Sequence, residues 1–205
     1  MTDRVIVFLD WQNVYSSARR AFHDPWDPYI EGQVDPVLLG QVLAAKNPDQ
    51  VLTQVRIYRG LPDSSKQPEA YGANERQAAS WRRSELVSVH RRPLQYPRGW
   101  VSGGSGQDKP REKGIDVALA VDFVRLAIEG TYDVGILMSG DTDLKPALEF
   151  VYDYKGRVGP RPEVAAWSHP VGHSPRLSLN RQSLWCHWID RDAYWAIRDL
   201  VTYSK

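Results

Sequence analysis

Val5-Ile6-Val7-Phe8-Leu9-Asp10-Trp11-Gln12-Asn13 and Val134-Gly135-Ile136-Leu137-Met138-Ser139-Gly140-Asp141-Thr142-Asp143 are one design written twice, more than a hundred residues apart. Each is a short apolar run; the first ends in a carboxylate and an amide, the second in two carboxylates. A strand buried on both faces reads as a continuous apolar run, and such strands belong to parallel sheets covered by helices. In an open sheet of that kind, ligands bind beyond the carboxyl ends of the strands. The two runs therefore predict an α/β fold with acids gathered at one sheet end.

The chain between and beyond them alternates in the same way. Residues 4–9 are the first strand, and Val14, Ala18, Ala21 and Phe22 share one face of a helix over 12–22. Asp24-Pro25-Trp26-Asp27-Pro28 breaks that helix. Asp35-Pro36 opens another, with Asp as N-cap and Pro in the first turn, which ends near Asn47-Pro48. A second strand spans 50–59, a helix 69–84 and a third strand 86–92. The strongest helix runs over 112–129, with Ile115, Leu119, Phe123 and Leu126 on one face. A fourth strand at 133–138, a helix at 143–154, a fifth strand at 164–167 and a terminal helix at 191–202 complete the order. Strands alternating with helices predict a doubly wound, mainly parallel sheet of about five strands between two helical layers.

At 205 residues and 23.3 kDa the chain fits a single domain over 1–205. Two segments stand apart: a basic, Gly-rich loop at 93–111, expected to be flexible, and an aromatic-rich extension at 170–205. Cys186 is the single cysteine, so no intrachain disulfide forms, which suits a reducing cytoplasm. No apolar run approaches the ~18 residues of a membrane span, and the N-terminus has no leader pattern. A cytoplasmic protein without a membrane partner is expected. The net charge of +1 hides an uneven distribution. Residues 56–113 hold twelve Lys/Arg against six Asp/Glu, a balance of +6, and residues 114–155 hold three against eight, a balance of −5. Cations to hold a polyanion beside carboxylates to hold a metal is the arrangement phosphodiester chemistry requires.

Singly, the acids have structural explanations. Asp10 can cap the following helix, Asp116 sits in a first turn where the helix dipole favours acids, and Asp143 can be an N-cap. Together they repel one another unless a cation compensates. Mg²⁺ binds one or two carboxylates while keeping waters, and makes a bound water easier to deprotonate.

Phe8-Leu9-Asp10 with Asn13, then Lys113-Gly114-Ile115-Asp116-Val117 with Asp122, then Ser139-Gly140-Asp141-Thr142-Asp143-Leu144 follow one another in an order that resembles the NYN domain. That family is a branch of the PIN-like metal-dependent ribonucleases, and the likeness is greatest to its bacterial LabA-like members. The resemblance covers roughly residues 4–167 and implies a PIN-like three-layer sandwich, an Mg²⁺ or Mn²⁺ site and RNA as substrate. Carried over by position, Asp10, Asp116, Asp141 and Asp143 are the metal-site and catalytic acids. Asn13 then holds the Asp10 loop or touches substrate, Ser139 bonds a carboxylate or phosphate, and Lys113 contacts phosphate. Asp122 lies six residues beyond Asp116, about 600° of helix rotation, which points it roughly 120° away from any shared metal. This chain departs from the family pattern in carrying Leu144, not an aromatic residue, after the final acid, and in the length of the 93–111 loop.

Other residues admit two readings. Trp11 either stacks on a base at the pocket mouth or packs beneath the first helix. Trp100, between Arg98 and Lys109 in the Gly-rich loop, is the better candidate for nucleic-acid contact, and a contact between two copies of the chain (a homodimer) is the alternative. Adjacent Cys186 and His187, with His169 and His173, do not make a zinc set. Two other classes compete with a nuclease. A module that binds RNA or protein without cutting has no need to tolerate the acids' repulsion. A haloacid-dehalogenase-type phosphatase needs Asp-x-Asp after the first strand, and Gln12 occupies the second position.

Overall fold

The computed structural model describes residues 2–104, 109–154, 159–169, 172–173, 176–180 and 182–204. Among the described residues seven strands occur, in chain order: β1 (Asp3–Asp10), β2 (Gln50–Leu61), β3 (Val87–Pro93), β4 (Val134–Met138), β5 (Arg161–His169), β6 (Gly172–His173) and β7 (Cys186–Ile189). They lie in the order β3-β2-β1-β4-β5, with β7 continuing the sheet beyond β5. These six run parallel, and only the two-residue β6 folds back antiparallel on β5. The chain winds outward from β1 to β3, then returns to β4 beside β1. That reversal is the topological switch point, where crevices open in such sheets.

The side-chain period of two explains the apolar runs. Val5, Val7 and Leu9 of β1 face one core, shared with α1 (Trp11–Phe22), α2 (Pro36–Ala44) and Trp81 of α3 (Pro68–Trp81). Ile6 and Phe8 face a second core, shared with α4 (Ile115–Ile128) and α5 (Lys145–Tyr154). Both faces are covered, so both registers must be apolar. The three-layer α/β sandwich expected from the sequence is the observed fold. None of the described helices is long and apolar enough to cross a membrane.

The larger departures from the sequence reading have physical reasons. The helix expected from 112 begins at Ile115, because Gly114 takes a left-handed conformation (φ 72°) and leaves Glu112 and Lys113 in the loop. The helix expected over 191–202 is the short α6 (Arg191–Ala196). Beyond it the backbone is used elsewhere: Asp35 N–H donates to Ile197 O at 2.8 Å and Asp199 N–H donates to Gln33 O at 3.1 Å. In the aromatic-rich extension, β7 adds a sixth parallel strand, and Trp185 just before it is 67% exposed. The 93–111 loop, described except for 105–108, is closed at its base by reciprocal backbone bonds between Gln95 and Arg111 at 2.8 and 2.9 Å. The side chains of His169 and His173 lie outside what the structure describes.

Candidate active site

β1 and β4 pair from Val5–Val134 to Leu9–Met138, so their carboxyl ends open side by side. Asp10 ends β1, follows Ile6 and Phe8 onto the α4 side, and is only 5% exposed. It caps α1 by accepting from the Asn13 N–H at 3.2 Å, as its position in the sequence suggested. Its other oxygen accepts from Ser139 Oγ at 2.8 Å. Ser139, itself buried, then accepts from the Asp141 N–H at 3.0 Å. Asn13 closes the link from the other side, its Oδ1 accepting from the Gly140 N–H at 3.0 Å. Asn13 and Ser139 thus lock two strand ends 127 to 129 residues apart into one rim.

Asp141 caps the short 3-10 turn Thr142–Leu144, accepting from the Asp143 N–H at 3.0 Å. The capping role expected of Asp143 falls to Asp141, because the turn begins at Thr142, and Asp143 is left exposed. Asp116 stands in the first turn of α4, partly buried. Glu112 is a fifth carboxylate that the sequence reading assigned to a helix face. Freed by the Gly114 break, it accepts from the Gly60 N–H at 2.5 Å beside the end of β2.

These acids sense one another. Burial pushes Asp10 up to about 6, against the opposing hydrogen bonds from Ser139 and Asn13, and the charges of Asp116 and Glu112 add to the rise. Asp116 is raised by burial and then by Asp141 and Asp143. Glu112 is raised by burial and by Asp116, with the Gly60 N–H and Arg59 acting the other way. Among the described residues no three His, Cys, Asp or Glu side chains converge as a preformed metal cage. What the rim offers is hard oxygen donors in ones and twos, with buried charge awaiting compensation. That donor set fits a largely hydrated divalent cation better than a protein-only cage.

The remaining candidates are spread out. Lys113 is exposed at the start of α4, next to the acids in sequence. Trp11 is 4% exposed and packs edge-on against Trp81 with centroids 4.3 Å apart, which is the packing alternative. Arg98 is exposed, and Trp100 rests against Tyr96 at 4.9 Å. Trp100 lines a cavity of about 560 Å³ with Gln67, Leu94 and Lys109, and none of the five carboxylates is in its lining. Asp122 points elsewhere, accepting from Arg56 Nη2 and Tyr58 OH at 2.7 Å and from Arg125 Nη2 at 3.1 Å. Arg59, which the sequence reading treated only as a strand residue, lines a cavity of about 460 Å³ beside Glu112. The second of two arginines in that strand, at its carboxyl end, was the signal available for it.

A doubly wound parallel sheet with an acidic rim at its switch point defines a PIN-like α/β domain. The chain belongs to the NYN domain family, whose model matches residues 4–159. Among solved structures it is similar to a protein of unknown function from Vibrio parahaemolyticus, with a TM-score of 0.54 and 18% identity. That likeness covers 93% of this chain and 95% of the other, and at this identity it speaks to the fold alone. Among curated proteins no significant match is found.

Proposed function

We propose that this NYN domain is a metal-dependent ribonuclease, with Asp10, Asp116, Asp141 and Asp143 around Mg²⁺ or Mn²⁺. The observation that carries this reading is the unpaired state of the acids. Burial and mutual repulsion raise Asp10, Asp116 and Glu112, yet none of the five carboxylates has an ion-pair partner among the described residues. Titratable groups perturbed in this way at a strand-end crevice mark functional sites. A bound divalent cation supplies a more acidic water and offsets charge building on the phosphate.

The chain's own residues do the positioning. Ser139 and the Asn13 N–H hold the two oxygens of Asp10 in fixed directions, so its lone pairs need no reorganisation. The Asn13–Gly140 bond fixes the gap between the rims that carry Asp10 and Asp141. Lys113 brings a cation beside Asp116 for a phosphate oxygen, and the basic 56–113 segment attracts the polyanion. Membership of the NYN family supports RNA as the substrate in this reading.

Cleavage of labelled RNA in Mn²⁺ by the wild-type chain, Asp10→Asn and Asp141→Asn tests the proposal. Both variants are expected to fold and to lose cleavage; undiminished cutting by both contradicts it. The lack of a three-carboxylate cage among the described residues favours a second reading, a module that holds RNA without cutting. A chain that binds RNA but takes up no Mn²⁺ at millimolar concentration decides for that reading.

A further inference from the structure

Arg59 has no task in the chemistry above. It sits near the end of β2 on the face opposite Tyr58, and its Nη1 donates to Gln77 Oε1 at 2.6 Å. Its guanidinium lies 5.4 Å from the centre of the Trp81 ring. Among the described residues no carboxylate reaches ion-pair distance of it. Burial lowers it to about 10, with Glu112 countering and Arg91 adding, so it is a cation at neutral pH. Removing a guanidinium from water without a counter-ion is costly, and such groups are paired in most proteins.

The space in front of it has a shape and a chemistry. Arg59 lines two cavities, one of about 360 Å³ with Gln77, Glu69 and Tyr203, and one of about 460 Å³ with Trp11, Pro62, Leu94, Arg111 and Glu112. The larger one lies in the range of small-molecule sites. One of its walls is apolar (Pro62 and Leu94), and Arg111 and Arg59 supply cations. Glu112 forms the remaining wall, and the same carboxylate raises Asp10 electrostatically. Trp11 and Gln12, which follow Asp10 in the chain, line the same cavity, so it adjoins the acidic rim. A planar guanidinium is suited to the oxygens of a phosphate, which it can bond in pairs.

We infer that this cavity is a nucleotide subsite: Arg59 holds a phosphate next to the carboxylate rim, and the attached base lies against Pro62 and Leu94. The inference rests on the ribonuclease reading for the strand that delivers the nucleotide. The phosphate is either the monoester at a strand end or the diester of a neighbouring linkage.

Calorimetric titration of the full chain without divalent metal tests this, using 5′-AMP, adenosine and the dinucleotide adenylyl-adenosine. The wild-type chain is expected to bind AMP about tenfold or more tightly than adenosine, the scale of a hydrogen bond to a charged group. Arg59→Gln is expected to lose that preference and Arg59→Lys to keep part of it. AMP bound more tightly than the dinucleotide assigns the monoester; equal binding assigns the diester. Equal affinity for AMP and adenosine in the wild type overturns the subsite, and needs no variant to fold. Arg59→Gln binding AMP like wild type overturns it too. Because no metal is present, a chain that cuts nothing can still hold AMP, and a chain that cuts can still fail this test.

Discussion

Asp116 and Asp122 lie on one helix, six residues apart, and meet opposite surroundings. Asp116 faces Asp141 and Asp143 and is raised by burial and by their charge. Asp122 is also disfavoured by burial, but hydrogen bonds from Tyr58, Arg56 and Arg125 outweigh it and hold the carboxyl down to about 2. The first environment leaves charge uncompensated at the switch point; the second compensates it with protein. Composition alone does not separate the two, since both are aspartates of one amphipathic helix. What separates them is the row of β-residues each one meets. Tyr58 and Arg56 of β2 reach Asp122, whereas Asp116 meets the charges of Asp141 and Asp143 beyond β4. An acid paired by the protein stabilises a fold, and an acid left for a ligand costs stability until the ligand arrives.

Substitutions on each side break this comparison in different observables. The largest effect is expected from Asp10→Asn: metal-dependent cleavage falls by at least about 100-fold, since even an outer-shell partner of a metal site costs up to that. The folded state, measured by thermal melting without metal, is expected to be retained or improved. Next comes Asp122→Ala, which strips Arg56 of its counter-ion; unfolding in urea should show a loss of about 2–3 kcal/mol. Its cleavage per folded molecule should stay near wild type. Ser139→Ala removes one bond to Asp10 and is expected to lower cleavage roughly tenfold, again on the outer-shell scale. The smallest effect is on stability against pH. Asp10 titrates near 6 in the folded chain and near 3.8 unfolded, so between those values the folded state holds a proton the unfolded state has lost. Metal-free stability should therefore fall by about 1 kcal/mol on going from about pH 5 to pH 7, and Asp10→Asn should flatten that slope. Asp122 works in the other direction: its contribution is present above its usual 3.8 and is lost as pH falls toward 2.

Much of the rim could be read before the fold was known. Asp10, Asp141 and Asp143 terminate apolar runs, and a buried strand announces itself by composition over a few residues. Ser139-Gly140 marked the turn that links them. Glu112 escaped because Glu112–Glu129 is a continuous helical pattern, and only the φ of Gly114 shows that the helix starts later. The Lys113-Gly114 pair was the local clue. β7 escaped because four residues alternating Cys-His-Trp-Ile pack through long-range pairing with β5, which no local pattern encodes. The tail after Ala196 continues no helix, although the sequence predicts one to Thr202. Its backbone instead bonds to residues 33–35, about 160 positions earlier in the chain. Trp11, ambiguous in sequence, packs against Trp81, a neighbour 70 residues away.

The central claim is that the uncompensated acids exist to hold a divalent ion. Anomalous diffraction from a crystal of this chain soaked in Mn²⁺ tests it most directly. The account predicts a manganese peak touching Asp10 and at least one of Asp116 and Asp141. A fully ordered rim with no manganese within coordinating distance of those carboxylates would contradict it.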